Sequence, residues 1–157
     1  MLNQSEADRL IAIQKKRVKE ERYNFPLAGE RLVIPIISTD EREPFLIDIN
    51  RRRIKLTKCT YQNRYQGTII LVRLDVDGSP HPNPEVVNVP LTYLEPYNGQ
   101  TILCPHLHLY VEGFDDKWAI PSPSGKFSRT KNIRATLDDF FYYCNVTEIP
   151  EVQGGLF

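Results

Sequence analysis

The stretch Cys104-Pro105-His106-Leu107-His108-Leu109-Tyr110-Val111-Glu112 alternates polar and apolar side chains strictly from His106 onward. A period of two is the mark of a strand with one buried face. Leu107, Leu109 and Val111 then point to a core, while His106, His108, Tyr110 and Glu112 share the opposite face. A half-buried strand needs hydrogen-bonding neighbours on its edges and a cover on its apolar side. The rest of the chain is read for both.

Neighbouring strands are expected at 31–37, 44–50, 53–58, 65–76, 85–89, 101–112 and 117–120, which are short and rich in β-branched or aromatic residues. Asp77-Gly78-Ser79-Pro80 is a turn signal after the strongest of them. Prolines 80, 82 and 84 predict an extended loop, and Asn98-Gly99 marks another within 94–100. The cover is expected from two helices. One spans about 6–22, capped by Ser5, with Ala7, Leu10, Ile11, Gln14 and Val18 facing inward and 15–22 forming a solvated charge run. The other spans about 132–144, capped by Thr130 or Asn132, with Ile133, Leu137, Phe140, Phe141 and Cys144 on one stripe. The expected fold is α+β: a mainly antiparallel sheet with an N-terminal and a C-terminal helix on one face and the other face at least partly open. The expected organisation is an N-terminal helix at 1–24, a single domain at 25–148 and a flexible tail at 149–157.

A chain of 157 residues is long enough for a real core, and 41% apolar with 25% charged residues is a globular composition. Zero net charge argues against a protein that coats nucleic acid or an anionic membrane through bulk charge. The cysteines at 59, 104 and 144 are odd in number and far apart, which suggests a reducing compartment and no disulfide framework. No cationic leader or long apolar run is present, so a cytoplasmic protein without a membrane span is expected.

The stretch Pro105-His106-Leu107-His108-Leu109-Tyr110, then Glu112-Gly113-Phe114 and Asp116-Lys117-Trp118-Ala119, resembles a bacterial family of small proteins whose domain has no assigned function. The resemblance takes in Asp48-Ile49-Asn50-Arg51, Arg73-Leu74-Asp75 and Pro80-His81-Pro82-Asn83-Pro84, and runs from about residue 32 to 144. Extra residues around 92–100 depart from the pattern. The resemblance implies a cytosolic protein and no particular activity.

Three groupings could carry chemistry. His106 and His108 could act as an acid/base pair on a phosphodiester, assisted by His81, Tyr110, Arg73 and Lys117. The same imidazoles, His81, His106 and His108, could instead hold zinc or another divalent transition metal, although no cofactor is the favoured expectation. The segment 51–65 carries Arg51, Arg52, Arg53, Lys55, Lys58 and Arg64 without an acid, and Tyr61 and Tyr65 could stack on bases. Its alternative is a basic edge strand that discourages aggregation. Trp118 is expected in the core or at a site rim, and the aromatic run 140–143 in the core. The leading expectation is a small RNA-directed phosphodiesterase of toxin or defence type. The alternatives are a non-enzymatic module that docks an antitoxin or other protein, and a three-histidine metal-dependent hydrolase. An idle, exposed histidine face remains open beside them.

Overall fold

Alternating segments in the middle of the chain pair side by side, each presenting its apolar set to the same side. The computed structural model describes residues 1–55 and 57–154. In chain order the elements are α1 (Gln4–Ala12), β1 (Lys15–Arg17), β2 (Arg22–Asn24), β3 (Arg31–Ser38), β4 (Pro44–Arg51), β5 (Cys59–Tyr65), β6 (Ile69–Asp75), β7 (His81–Pro82), a 3-10 turn (Thr92–Tyr97), β8 (Thr101–Ile102), β9 (His106–Leu109), β10 (Ala119–Pro121), α2 (Ile133–Tyr143), β11 (Val146–Glu148) and β12 (Glu151–Gln153). Eight strands form one sheet in the order β10-β9-β6-β5-β4-β3-β1-β11. Every pairing in it is antiparallel except β1 with β11. The fold is α+β, with a helix near each end of the chain.

Register explains the core. Leu32, Ile49, Tyr61, Leu74 and Leu107 lie in one cross-strand row, and Ile34, Ile47, Asn63, Val72 and Leu109 in the next. These rows pack with Ala7 and Leu10 of α1 and Leu137, Phe140 and Phe141 of α2. Asn132 caps α2, its side chain accepting from the Ala135 N–H. Tyr61 donates its hydroxyl proton to the Ile133 carbonyl, so it belongs to this buried side.

Several sequence expectations change. The first helix stops at Ala12, and the charge run expected on its outer face becomes β1 and β2. Lys15 is the reason. Its side chain is fully buried, and Nζ donates to the carbonyls of Ile11, Ile13 and Cys144 at 2.9, 2.9 and 2.8 Å. One ammonium thus satisfies backbone acceptors at the C-terminal ends of both helices. Lys15→Met should therefore lower unfolding stability by about 1–3 kcal/mol, the cost of stranding buried acceptors, read from urea denaturation. A variant as stable as the wild type would show that those carbonyls find other partners.

The strand expected at 53–58 is a turn, with Leu56 outside the described residues, and the pairing begins at Cys59. The 85–89 segment is loop, and 101–112 divides into β8 and β9. The tail is partly ordered: Glu151–Gln153 pairs in parallel with Arg22–Asn24, while 155–157 lie outside the described residues. No helix is long and apolar enough to cross a membrane among the described residues.

Candidate functional site

The apolar residues of β4, β5, β6 and β9 face the helices, so the alternate positions of the same strands line the opposite face. Two cross-strand rows meet there. Thr60, Asp75 and His106 form one, and Gln62, Arg73 and His108 the other. Pro121 and Ala119 of β10 extend these rows on the far side.

Asp75 is the hub. Its Oδ2 lies 2.8 Å from Arg73 Nη2, 3.1 Å from His106 Nε2 and 3.3 Å from His108 Nε2. Its Oδ1 accepts from Thr60 Oγ1 at 2.8 Å. Burial would raise the Asp75 carboxyl, but contacts from His106, His108 and Arg73 outweigh it and hold the group far below the usual carboxylate range. Arg73 turns its other arm to Asp116, with Nη1 3.0 Å from Oδ2.

The histidines are buried, His106 to 2% exposure and His108 to 1%. His108 Nδ1 faces the Asp116 carbonyl at 2.7 Å, and His106 Nδ1 faces the Ile102 carbonyl at 3.2 Å. A carbonyl only accepts, so each Nδ1 is assigned the ring proton. A carboxylate likewise only accepts, so the His106 Nε2···Asp75 Oδ2 contact at 3.1 Å is a hydrogen bond when that ring carries a second proton, whereas in a ring protonated at Nδ1 alone the Nε2 lone pair faces Oδ2. His108 Nε2 is not in line for a hydrogen bond and is buried without a partner. His81 lies alongside, its ring centre 4.6 Å from that of His108. Its Nε2 donates to the Lys117 carbonyl at 2.7 Å. Burial lowers the His81 pKa, with the nearby Arg73 guanidinium adding to it and that carbonyl opposing it.

Asn83 anchors the His81 loop. Its amide donates to the Tyr97 and Ala119 carbonyls and accepts from the Ala119 N–H at 2.8 Å. Cys104 Sγ lies 3.5 Å from His106 Nδ1, which resembles a thiol–imidazole pair. Burial, with Asp75 and Asp77 nearby, pushes the thiol up to about 11, so it stays protonated and does not supply a nucleophile.

Beside the hub lies a polar groove of about 620 Å³. Thr60, Gln62, Arg73 and Asp75 line its side nearest the hub. Arg31, Arg51, Arg52 and Lys58 add positive charge to its walls, against Glu30 and Asp77.

The residues singled out from sequence divide. His81, His106, His108 and Arg73 come together, and Arg51, Arg52 and Lys58 line the adjoining groove. Tyr110 leaves the row: β9 ends at Leu109, and the Tyr110 hydroxyl donates to the Leu2 carbonyl at 2.6 Å within the core. Lys117 contributes its carbonyl, and its side chain is exposed. Tyr61 and Tyr65 are buried and offer no stacking surface. Arg64 is bound to the buried Asp48, and Lys55 pairs with Asp77 at 2.8 Å. Arg53 packs by Gly29 and does not line the groove. The metal-ligating grouping also changes: the three residues whose donor atoms converge are Asp75, His106 and His108, rather than the three histidines. Asp75 has a sequence signal of its own, since it alternates with Arg73 on a strand.

A small α+β protein with a mainly antiparallel sheet and an Asp–His–His cluster buried on the sheet face away from the core is the class that fold and site define. The chain belongs to the family of unknown function DUF6978, whose model matches residues 2–146. No curated protein and no solved structure matches it.

Proposed function

We propose that the chain is an RNA-directed phosphodiesterase that works where the basic groove meets the Asp75–His106–His108 cluster. The observation that carries this reading is the groove itself: in a chain of zero net charge, Arg31, Arg51, Arg52, Lys58 and Arg73 are gathered around one polar cavity that Asp75 also lines, with His106 and His108 buried behind that carboxylate. Cationic side chains neutralise backbone phosphates, and a positioned guanidinium stabilises charge that develops on a phosphoryl group. Arg73 is held for that task by Asp75 and Asp116. With Tyr61 and Tyr65 buried, the groove favours phosphate contacts over base stacking.

His106 and His108 sit behind Asp75, so in this reading they act through that carboxylate or through an ion shared with it. They do not flank the phosphodiester as a free pair. Zinc or another divalent transition-metal ion is the cofactor such a cluster suits, since it polarises a phosphoryl oxygen and activates water. A toxin or defence setting, with a protein partner such as an antitoxin, fits an RNA-cleaving activity.

The test is cleavage of a mixed RNA pool by the wild type and by His106→Ala/His108→Ala, each with and without EDTA. Wild-type cleavage is expected to fall by about 10²–10⁴-fold in the double variant. Equal cleavage by both, or none by the wild type under any condition, would overturn the enzyme. A protein-docking module would then lead, with exposed Ile54, Val87 and Leu103 as its support.

A further inference from the structure

We infer that Asp75 Oδ2, His106 Nε2 and His108 Nε2 are the protein ligands of a single divalent transition-metal ion of the zinc type. The two imidazoles are locked from behind. Each Nδ1 faces a backbone carbonyl, Ile102 for His106 and Asp116 for His108, which leaves each Nε2 with its lone pair forward. This is the arrangement that fixes tautomer and ring direction in metal-ligating histidines.

The forward atoms converge. The donor atoms of the three residues all lie within 4.8 Å of one another, and the two Nε2 atoms stand 3.1 and 3.3 Å from Oδ2. Two ligands bonded to zinc at about 2.0–2.1 Å and set at a tetrahedral angle are about 3.3 Å apart. The two Nε2–Oδ2 spacings therefore match a shared ion. Facing lone pairs on the two Nε2 atoms and Oδ2 repel unless a proton or a metal cation lies between them; a proton can serve His106, whose Nε2 is hydrogen-bonded to Oδ2, but His108 Nε2 is buried without a hydrogen-bond partner.

Charge points the same way. The charged side chains Arg73, Asp75 and Asp116 sum to one negative charge in a half-buried cluster. A divalent ion reverses that sign without leaving a large excess. Arg73 and Thr60 hydrogen-bond Asp75 and act as outer partners that orient the ligating carboxylate. Two nitrogens and one oxygen suit zinc, cobalt, iron or manganese, whereas calcium and magnesium favour all-oxygen shells. His81 stands next to the trio with Nε2 committed to the Lys117 carbonyl and is not one of the three ligands. Three protein ligands leave a position for water or substrate.

The site coincides with the proposed phosphodiesterase centre but does not depend on that activity. The experiment is calorimetric titration of chelator-stripped, untagged full-length protein with zinc sulfate, and with cobalt(II) followed by visible absorption. One ion per chain is expected, with the ligand-field bands of a low-coordinate cobalt site carrying nitrogen ligands. His106→Gln, His108→Gln and Asp75→Asn should each weaken binding by a hundredfold or more, with folding verified by circular dichroism. His81→Ala should stay within a few-fold of the wild type. Absence of binding to the wild type overturns the site, as does wild-type affinity in folded His106→Gln and His108→Gln. A loss in His81→Ala as large as in the ligand variants overturns the three-ligand assignment. Ion binding without RNA cleavage supports the site and overturns the phosphodiesterase. Cleavage that ignores EDTA in a protein that takes up no ion does the reverse.

Discussion

Asp75→Asn is expected to reduce RNA cleavage by about 10²-fold or more, because the substitution removes the charge that holds three groups at once. Arg73 loses the bidentate contacts that place its guanidinium beside the groove, and both Nε2 atoms lose the negative charge they converge on. Asparagine keeps the shape and can still accept from Thr60. Any packing change is therefore small, and the effect isolates charge. Breaking such a pair also lowers stability, by about 3 kcal/mol, the lower end of the range for removing one member of a buried ion pair. The lower end applies because Arg73 keeps Asp116 and is 31% exposed. Steady-state kinetics should show the loss in kcat more than in KM if Arg73 acts on developing charge. A variant with wild-type kcat would remove Asp75 from the chemistry.

Asp48→Ala is the second large effect, and it concerns the fold. Asp48 sits on the same polar face, yet its side chain is fully buried beneath its partners. Arg64 grips both carboxylate oxygens, Arg31 donates to Oδ1 at 2.9 Å and Gln62 donates to Oδ2 at 2.8 Å. Removing the carboxylate leaves Arg64, only 17% exposed, without its counter-charge. A loss of about 3–5 kcal/mol is expected, read from the urea midpoint. Asp48→Asn should fall between the two.

The same two carboxylates set an acid limit. Burial pushes the Asp48 carboxyl up, but hydrogen bonds from Arg64, Arg31 and Gln62 more than offset this, and the net shift is downward, as for Asp75. A carboxylate with a depressed folded-state pKa binds fewer protons folded than unfolded. Its stabilisation is fully present above the unfolded value, about 3.9, and is lost as pH falls through the lower folded value. Unfolding stability should therefore drop below about pH 4, and the drop should be shallower in Asp48→Asn and Asp75→Asn. An unchanged acid slope in both variants would place the titrating groups elsewhere.

Individual residues show which parts of this reading were local. Asn132 could be read as a cap because an N-cap side chain bonds to the turn that follows it. The apolar stripe of α2 was legible for the same reason. Lys15 was not. A lysine within 15–22 reads as a solvated charge until the carbonyls of two helix ends, one of them at residue 144, are brought to it by folding. Tyr110 shows the limit of alternation. Its period continues past Leu109, but the chain turns at Gly113, whose φ is +83°, and Val111 bridges to Asp115. The Tyr110 N–H meets the Leu71 carbonyl opposite a register shift between β5 and β6, and the ring goes to the core beneath α1.

The sequence by itself determined the class of fold, the two helices that cover one face and the presence of two histidines on a shared strand face. Those depend on spacing along one element. Only the tertiary structure decided what the histidines face. Strand register sets Asp75 opposite His106 and Arg73 opposite His108, and backbone carbonyls at Ile102 and Asp116 turn both Nε2 atoms toward one carboxylate oxygen. Cross-strand pairing joins residues some thirty positions apart, and no periodicity within either strand encodes which residue stands across from which.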